Sequence, residues 1–441
     1  MLLAQGDALT RAHQRTAAEA TYRQGALLCP ESPAPHLRLA HLYLDWNRPQ
    51  EGLEAIAKAE RAGAAPAETA ALRAALLAAQ GNWEEALRWG ERARAMGNTD
   101  PALLHLLGDG YLRMGQVDRA AEAYRALLAI APDDRRTQER LGVLTALSDP
   151  AAAADSLRAA STPLAEAVLR ALESSGPEPA ARLMAVGQAC LKAGEPALAA
   201  VALERAVLRA PDFAEARALL GYALTQLAST PEEHQRAREH LEAAVRLQPN
   251  SPLTRSLLGL YLLRRGDPAG ARPHLEAAYD LDPTNPAVAL HLGLTYADLG
   301  DYLVADVWLS EATRLAPKDP KIWEAVARFY TDRFGRDPRG AAAAQALVRL
   351  APDDAGAHDL LGWALFRAGK IAEAEESLRK ALTLDPNLAS AHYHLGVLRA
   401  SLGQHEQAQE ALRRALDLNT DPQMREEIEE ALAVLSPTES R

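Results

Sequence analysis

The chain has 441 residues with 48 Lys and Arg against 59 Asp and Glu, a formal net charge of -11, so no net positive field exists to gather phosphate backbones. Apolar residues make up 48% and aromatics only 5%, while alanine is roughly a fifth of the chain, a composition that reads as all helix. Two cysteines, Cys29 and Cys190, exclude a disulfide framework and fit a reducing cytoplasm.

The opening "MLLAQGDALTRAHQR" has no basic n-region, and no run of 18 apolar residues follows anywhere, so the chain is expected neither to be exported by this segment nor to span a membrane. Prolines then punctuate the chain. Pro30 and Pro132 are 102 residues apart, three periods of 34, with proline-less period ends near Ala64 and Asn98. From Pro132 to Pro211 is 79 residues, two periods and a surplus of eleven. Pro211 to Pro249 is one period plus a four-residue insertion at "ASTPEEHQ". Pro249, Pro283, Pro317, Pro352 and Pro386 follow at spacings of 34 or 35, and one more period reaches Thr420 after "ALDLNT".

Counting back from each period end exposes the internal logic. The residue 24 before the end, or 28 and 25 before it in the longer periods ending at Pro249 and Pro352, from Gly6 through Gly142 and Gly293 to Gly396, is always Gly or Ala. So is the residue 12 before it, from Ala18 through Ala154 and Ala305 to Ala408. Apolar residues such as Trp323, Val326, Ala327 and Tyr330 recur at i, i+3, i+4, i+7, one stripe of a helix that cannot bury itself alone. Between the two helices of a period, "RGD", "LGD", "AGK" and "LGQ" place Gly266, Gly300, Gly369 and Gly403 where a helix end needs a left-handed residue.

This pattern resembles the tetratricopeptide repeat, with its 34-residue helix-turn-helix unit, its W-x2-L-G-x2-Y and A-x3-F signatures and its terminal proline. "WEAVARFY" supplies the aromatic start at Trp323 and the closing Tyr330. The resemblance covers about residues 1 to 420. It implies an all-α, right-handed superhelical solenoid of about twelve helix-turn-helix repeats.

Two regions depart from the period. "SDPAAAADSLRAASTPLAEAVLRALESSGPEP" puts Arg158 where a large apolar residue is expected and leaves room for an extra short helix from about Leu164 to Glu173. The expected organisation is therefore an N-terminal arm (1–147), a degenerate joint (148–179), a C-terminal arm (180–420), a capping helix (421–435) and a disordered tail (436–441). "DPQMREEIEEALAVL" is the cap, apolar on one side and rich in Glu on the other. The N-terminal end lacks such a device, leaving it to fray, to be covered by a partner, or to continue upstream of Met1.

Catalytic and ligand signatures are absent. "GWALFRAGKI" offers a Gly-Lys pair, but Ile371 follows where a P-loop needs Ser or Thr and no strand precedes it. His392 and His394 are spaced i, i+2 and point to different helix faces, so no metal is expected, nor any other cofactor. His358 and His392 occupy the place of Trp323 and read as partly buried packing residues. The repeats consume the chain and leave no residues for a catalytic domain, so the protein is not expected to be an enzyme.

The resemblance further implies that first helices line an inner groove, at 27, 23 and 20 residues before each end. There the C-terminal arm presents Tyr222, Leu260, Leu294, Arg328 and Trp363, with Phe366 and Tyr393 alongside and Lys321 and Arg367 interspersed. None of the residues at the first two of these positions is Lys or Asn, which argues against a ligand held by its C-terminal carboxylate. An apolar, aromatic groove of this kind suits an extended or helical segment of another protein. The expectation is a cytoplasmic scaffold or adaptor with protein partners, self-association possible, and no nucleic acid or membrane bound. The alternatives are a regulatory or assembly subunit of an enzyme complex and, less favoured, a helical-repeat RNA binder, which calls for a basic inner face.

Overall fold

The protein is described by a computed structural model over residues 1–176 and 178–435. The expected disordered tail, 436–441, lies outside the described residues. Within them there are 26 helices and no strand, and in chain order the helices form twelve successive pairs with two left over. The pairs are α1 (Leu2–Arg11) with α2 (Arg15–Leu28), α3 (Ala34–Asp45) with α4 (Pro49–Arg61), α5 (Pro66–Ala79) with α6 (Trp83–Ala95), and α7 (Pro101–Arg113) with α8 (Val117–Ile130). α9 (Arg135–Ala146) and α10 (Pro150–Ala160) are followed by the unpaired α11 (Pro163–Ser174). Then come α12 (Pro179–Lys192) with α13 (Pro196–Arg209), α14 (Ala214–Leu227) with α15 (Pro231–Leu247), α16 (Pro252–Arg264) with α17 (Pro268–Leu281), and α18 (Pro286–Asp298) with α19 (Tyr302–Leu315). α20 (Pro320–Phe334) with α21 (Pro338–Leu350), α22 (Ala355–Arg367) with α23 (Ile371–Leu384), and α24 (Ala389–Ser401) with α25 (His405–Leu418) complete the series, and α26 (Pro422–Leu435) follows alone.

Local chemistry sets these boundaries. Gly266, Gly300, Gly369 and Gly403 all have φ between +72° and +84°, as the turn between paired helices requires. His13 and Asn47 occupy such turns without glycine, at φ +54° and +51°. Several first helices start on Pro behind a capping side chain, as with Ser251 before Pro252, Asn285 before Pro286 and Asp319 before Pro320.

Six of the pairs are held at a close crossing on a glycine. A Cβ placed on Gly108, Gly187, Gly221, Gly259, Gly362 or Gly396 would come within 2.3–2.7 Å of the Tyr124, Leu203, Leu241, Leu275, Leu378 or Leu412 side chain. Those partners, and the alanines Ala120, Ala199, Ala237, Ala271, Ala374 and Ala408 one turn before them, are fully buried.

The place that Trp323 shares with His358 and His392 has a second role that spacing did not reveal. Trp323, His358 and His392 direct a ring N–H at the carbonyls of Pro317, Pro352 and Pro386, at 2.9, 2.9 and 3.0 Å. Gln138, Arg217 and Arg255 do the same to Pro132, Pro211 and Pro249 at 2.6–2.7 Å. Six side chains of four kinds thus satisfy one recurring orphan carbonyl, the one exposed where a second helix has ended. Burial holds the His392 imidazole below its ordinary pKa, consistent with a neutral ring donating through Nε2.

The chain groups into two compact units, Pro66–Ala305 and Met1–Ala65 with the chain from Asp306 onward. The expected joint, 148–179, lies inside the first of these. The extra helix is present as α11, and its Leu164, Ala165 and Val168 belong to one continuous apolar cluster running from Ala70 to Ala223. Arg140, 4% exposed, spans the irregular region by pairing with Asp109 at 3.3 Å and Glu195 at 2.9 Å. The register slips by one here: Gly142 faces Leu157, the buried alanine is Ala153 rather than Ala154, and Arg158 lies exposed beside Asp155. The insertion "ASTPEEHQ" lengthens α15 to 17 residues behind a Thr230–Glu233 capping box. It borders a cavity of about 970 Å³ lined by Trp83, Arg113, Glu204, Glu233 and Arg236.

In the other unit α2 packs against α25 of the same chain. Cys29 is exposed rather than buried among apolar residues, whereas Cys190 is fully buried and its thiol pKa is pushed far up by burial and the nearby Glu195. One thiol per chain is therefore expected to react with a soluble disulfide reagent in native buffer and two in denaturant; two fast-reacting thiols in the native protein would contradict the packing of α12.

Gly221→Ala tests the crossing. The new methyl would lie 2.6 Å from Leu241 Cγ and 2.9 Å from the Ala237 carbonyl oxygen, which moves only if the helix moves. The helix-propensity gain of about 1 kcal/mol is expected to be outweighed by overpacking, on the order of 1–3 kcal/mol, lowering the urea midpoint. An unchanged or raised midpoint would show that the helices cross elsewhere.

Candidate functional site

The nine residues expected to line a groove divide between the two units. Tyr222, Leu260 and Leu294 are half-buried on α14, α16 and α18 of the Pro66–Ala305 unit, where the Arg264 guanidinium stands 5.9 Å from the Tyr222 ring. Lys321, Arg328, Trp363, Phe366, Arg367 and Tyr393 belong to the other unit, on the adjoining helices α20, α22 and α24. The structure does not gather all nine into one site within either unit.

Trp363 is the centre of the second group. Its half-buried indole stacks on His394 of α24, with centroids 4.4 Å apart and planes 14° from parallel, and on Phe366 one turn along its own helix at 5.4 Å. The Arg367 guanidinium lies 5.7 Å from the indole centroid. His394 is fixed from its other edge, since Nδ1 lies 2.7 Å from Oδ1 of Asp359, a carboxylate only 6% exposed. A carboxylate accepts, so Nδ1 donates and the imidazole plane is set parallel to the indole. The result is a pre-oriented set of three rings with a cation at its edge.

Tyr393 meets this set only through its neighbour His394, at 5.5 Å. Its ring packs against the buried cluster of Leu412, Ala415 and Ile428, which Met424, Leu432 and Leu435 of the terminal helix α26 also border. Burial and the Glu427 carboxylate push its hydroxyl pKa up. Arg328 and Lys321 are exposed on α20, and Arg328 forks onto Glu324 of its own helix at 2.9 and 3.1 Å. His394 and Asp359 were not among the expected site residues. Asp359 stands on the stripe, but a pair 35 residues apart is not marked by helical periodicity.

The arrangement offers flat apolar surface and edge charge, not a nucleophile with a base. His392 points away, to the Pro386 carbonyl. No group of three or more His, Cys, Asp or Glu side chains able to hold a metal occurs among the described residues. No helix among them is long and apolar enough to cross a membrane.

Sequence profiles of the tetratricopeptide repeat match residues 77–139, 187–252, 262–329, 362–403 and 389–422, together more than half of the chain. The chain belongs to the tetratricopeptide repeat family. Its fold is the all-α repeat solenoid of that family. Similar solved structures include yeast Tom70, 16% identical over 98% of this chain and 94% of that one, with a TM-score of 0.44. The Cut9 and Hcn1 hetero-tetramer of the APC/C is 16% identical over 98% and 96%, at 0.43. MamA from Desulfovibrio magneticus RS-1 is 25% identical over 38% and 94%, at 0.34. No curated protein sequence matches significantly.

Asp359→Ala would leave the His394 Nδ1–H without its acceptor in a largely buried place. A loss of about 1–3 kcal/mol is expected in chemical denaturation, with a change in Trp363 emission, and Asp359→Asn is expected to restore most of both because it keeps an acceptor oxygen. Equal losses for Ala and Asn would mean that charge, and not ring orientation, is what Asp359 supplies.

Proposed function

We propose that this tetratricopeptide repeat protein is a protein-interaction scaffold whose partner segment docks on the row of helices α20, α22 and α24, centred on Trp363 and Phe366. The observation that carries this reading is the three-ring stack of Trp363, Phe366 and His394. It is held rigid by Asp359 yet left partly open, in a chain whose other aromatic residues are mostly buried or bound to carboxylates, as Tyr22, Tyr124 and Tyr296 are to Asp7, Asp109 and Glu276. Large rigid rings dominate binding energy because they bring area at little entropic cost. Arg367 and, on the neighbouring helix, Arg328 and Lys321 favour a segment carrying acidic residues beside its apolar anchors.

A solenoid of this family serves typically as a non-catalytic framework, and neither the stack nor its surroundings supplies a reacting group. Cytoplasmic residence and the absence of nucleic-acid or membrane partners belong to this same reading, which the charge of -11 supports. A regulatory or assembly subunit of an enzyme complex would use the same surface, and differs only in what the partner is.

The test is a quantitative pull-down of native partners with Trp363→Ala beside a control change, Leu303→Ser, on the exposed face of α19 where the side chain is 85% exposed. Trp363→Ala is expected to weaken capture by about 2 kcal/mol or more, roughly thirtyfold, with the melting temperature nearly unchanged, and the control to leave capture intact. Undiminished capture, or unfolding of the Trp363 variant, would make Trp363 a packing residue and move the docking surface elsewhere.

A further inference from the structure

The first and last repeats finish each other's helices. α2 starts behind Gln14, which makes no side-chain cap, so its first-turn N–H groups lack a local acceptor. Asp417, at the far end of the chain, supplies one. Its Oδ1 accepts from the Thr16 backbone N–H at 2.8 Å and from the Thr16 hydroxyl at 2.6 Å. In return the last carbonyls of α25 receive donors from the N-terminal repeats. The Arg15 guanidinium donates to the Asp417 and Leu418 oxygens at 3.0 and 3.3 Å, and the Trp46 indole N–H to the Leu416 oxygen at 3.2 Å. A cation at a helix C-terminus and a carboxylate at a helix N-terminus are each favoured by the helix dipole. Arg425 of α26 completes the seam by donating to the Trp46 oxygen at 2.7 Å, and Trp46, 2% exposed, is flanked by Arg48 and Arg425 at 4.9 and 5.8 Å.

This seam is unlike the joints between consecutive repeats. Those are packed apolar crossings, whereas this one depends on hydrogen bonds to backbone atoms around the single anchor Trp46. Beside it lies a cleft of about 670 Å³ bordered by Gln14, Ala17, His392, Arg414 and Asp417.

We propose that the two halves of this seam, the start of α2 with Trp46 and the end of α25 with α26, form an interaction surface that a second copy of this chain can take over. The two halves are different surfaces that fit one another, so what closes within one chain also fits head to tail between two. Exchange creates no new contact and breaks none; it only replaces an intramolecular partner by an intermolecular one. The closed chain is favoured at dilution because its own end is held at a high effective concentration. As protein concentration approaches that value, the exchanged dimer takes over.

Charge reversal in full-length chains separates this from other modes of association. Arg15→Glu sets a carboxylate against Asp417 and the α25 carbonyls, and Asp417→Lys sets an ammonium against Arg15. Neither variant closes on itself. An equimolar mixture restores one native seam, and in the other it pairs the introduced carboxylate with the introduced ammonium. Light scattering behind size-exclusion chromatography is expected to show each variant alone at the mass of one chain and the mixture at twice that mass, with association at least about tenfold tighter than in either alone. The doubly changed chain is expected to return to single-chain mass. A mixture that stays at the mass of one chain overturns the proposal, and so does equal dimerisation of each variant alone, which would place the interface elsewhere. Should circular dichroism show that either reversal has lost helix, Arg15→Ala and Asp417→Ala are read in the same way: a mixture associating more strongly than its components supports the exchange, and one that does not overturns it.

Discussion

Everything in this chain depends on how closely two helices of one repeat approach. At the crossing there is room for one large side chain and no more, which is why glycine at 24 residues before the repeat end faces a buried leucine or tyrosine at 8 before it. The chain keeps to this even where the glycine is missing. Ala74 and Ala327 occupy the small position in their repeats, and Gly90, sixteen residues after Ala74, meets Leu107 and Leu103 of the next repeat.

Once the crossing is fixed, the remaining demands are polar. Each pair of helices ends in backbone groups that the solenoid cannot satisfy by packing, and the chain meets them with whatever donor fits. Trp323, His358, Arg217 and Gln138 have no chemistry in common except an N–H that reaches a proline carbonyl. Conformity to the family's aromatic signature at this place is therefore secondary to donor geometry. The tyrosines behave likewise: Tyr22 and Tyr124 fill a crossing and at the same time bind Asp7 and Asp109, on the row where a groove would otherwise offer free carboxylates.

The helix pairs, their boundaries, the turn glycines, the extra helix α11 and the terminal α26 were all legible, because each depends on residues a few positions apart and is repeated many times. What escaped has the opposite character. The stack of Trp363 on His394, fixed by Asp359, joins residues of neighbouring repeats, and no helical period marks such a pair. The slip from Ala154 to Ala153 escaped because the degenerate repeat carries small residues at both places, so composition tolerated either register. The meeting of Thr16 with Asp417 was invisible in principle: it is a contact between residues 401 positions apart, and both types are ordinary for helix ends.

On the docking surface proposed above, Trp363 and Tyr393 consequently differ in what they can do. Trp363 is held from behind, by Asp359 through His394, and keeps part of its surface free. Tyr393 shares its apolar cluster with α26 and lies beside Glu427 of that helix, and α26 is itself held by Arg425 on Trp46 of the second repeat. A ligand arriving at Trp363 meets a finished surface. A partner that needs Tyr393 would have to work around a helix tied to Trp46 of the second repeat, so in this proposal the residues of the seam also set how far the docking surface reaches toward the C-terminus.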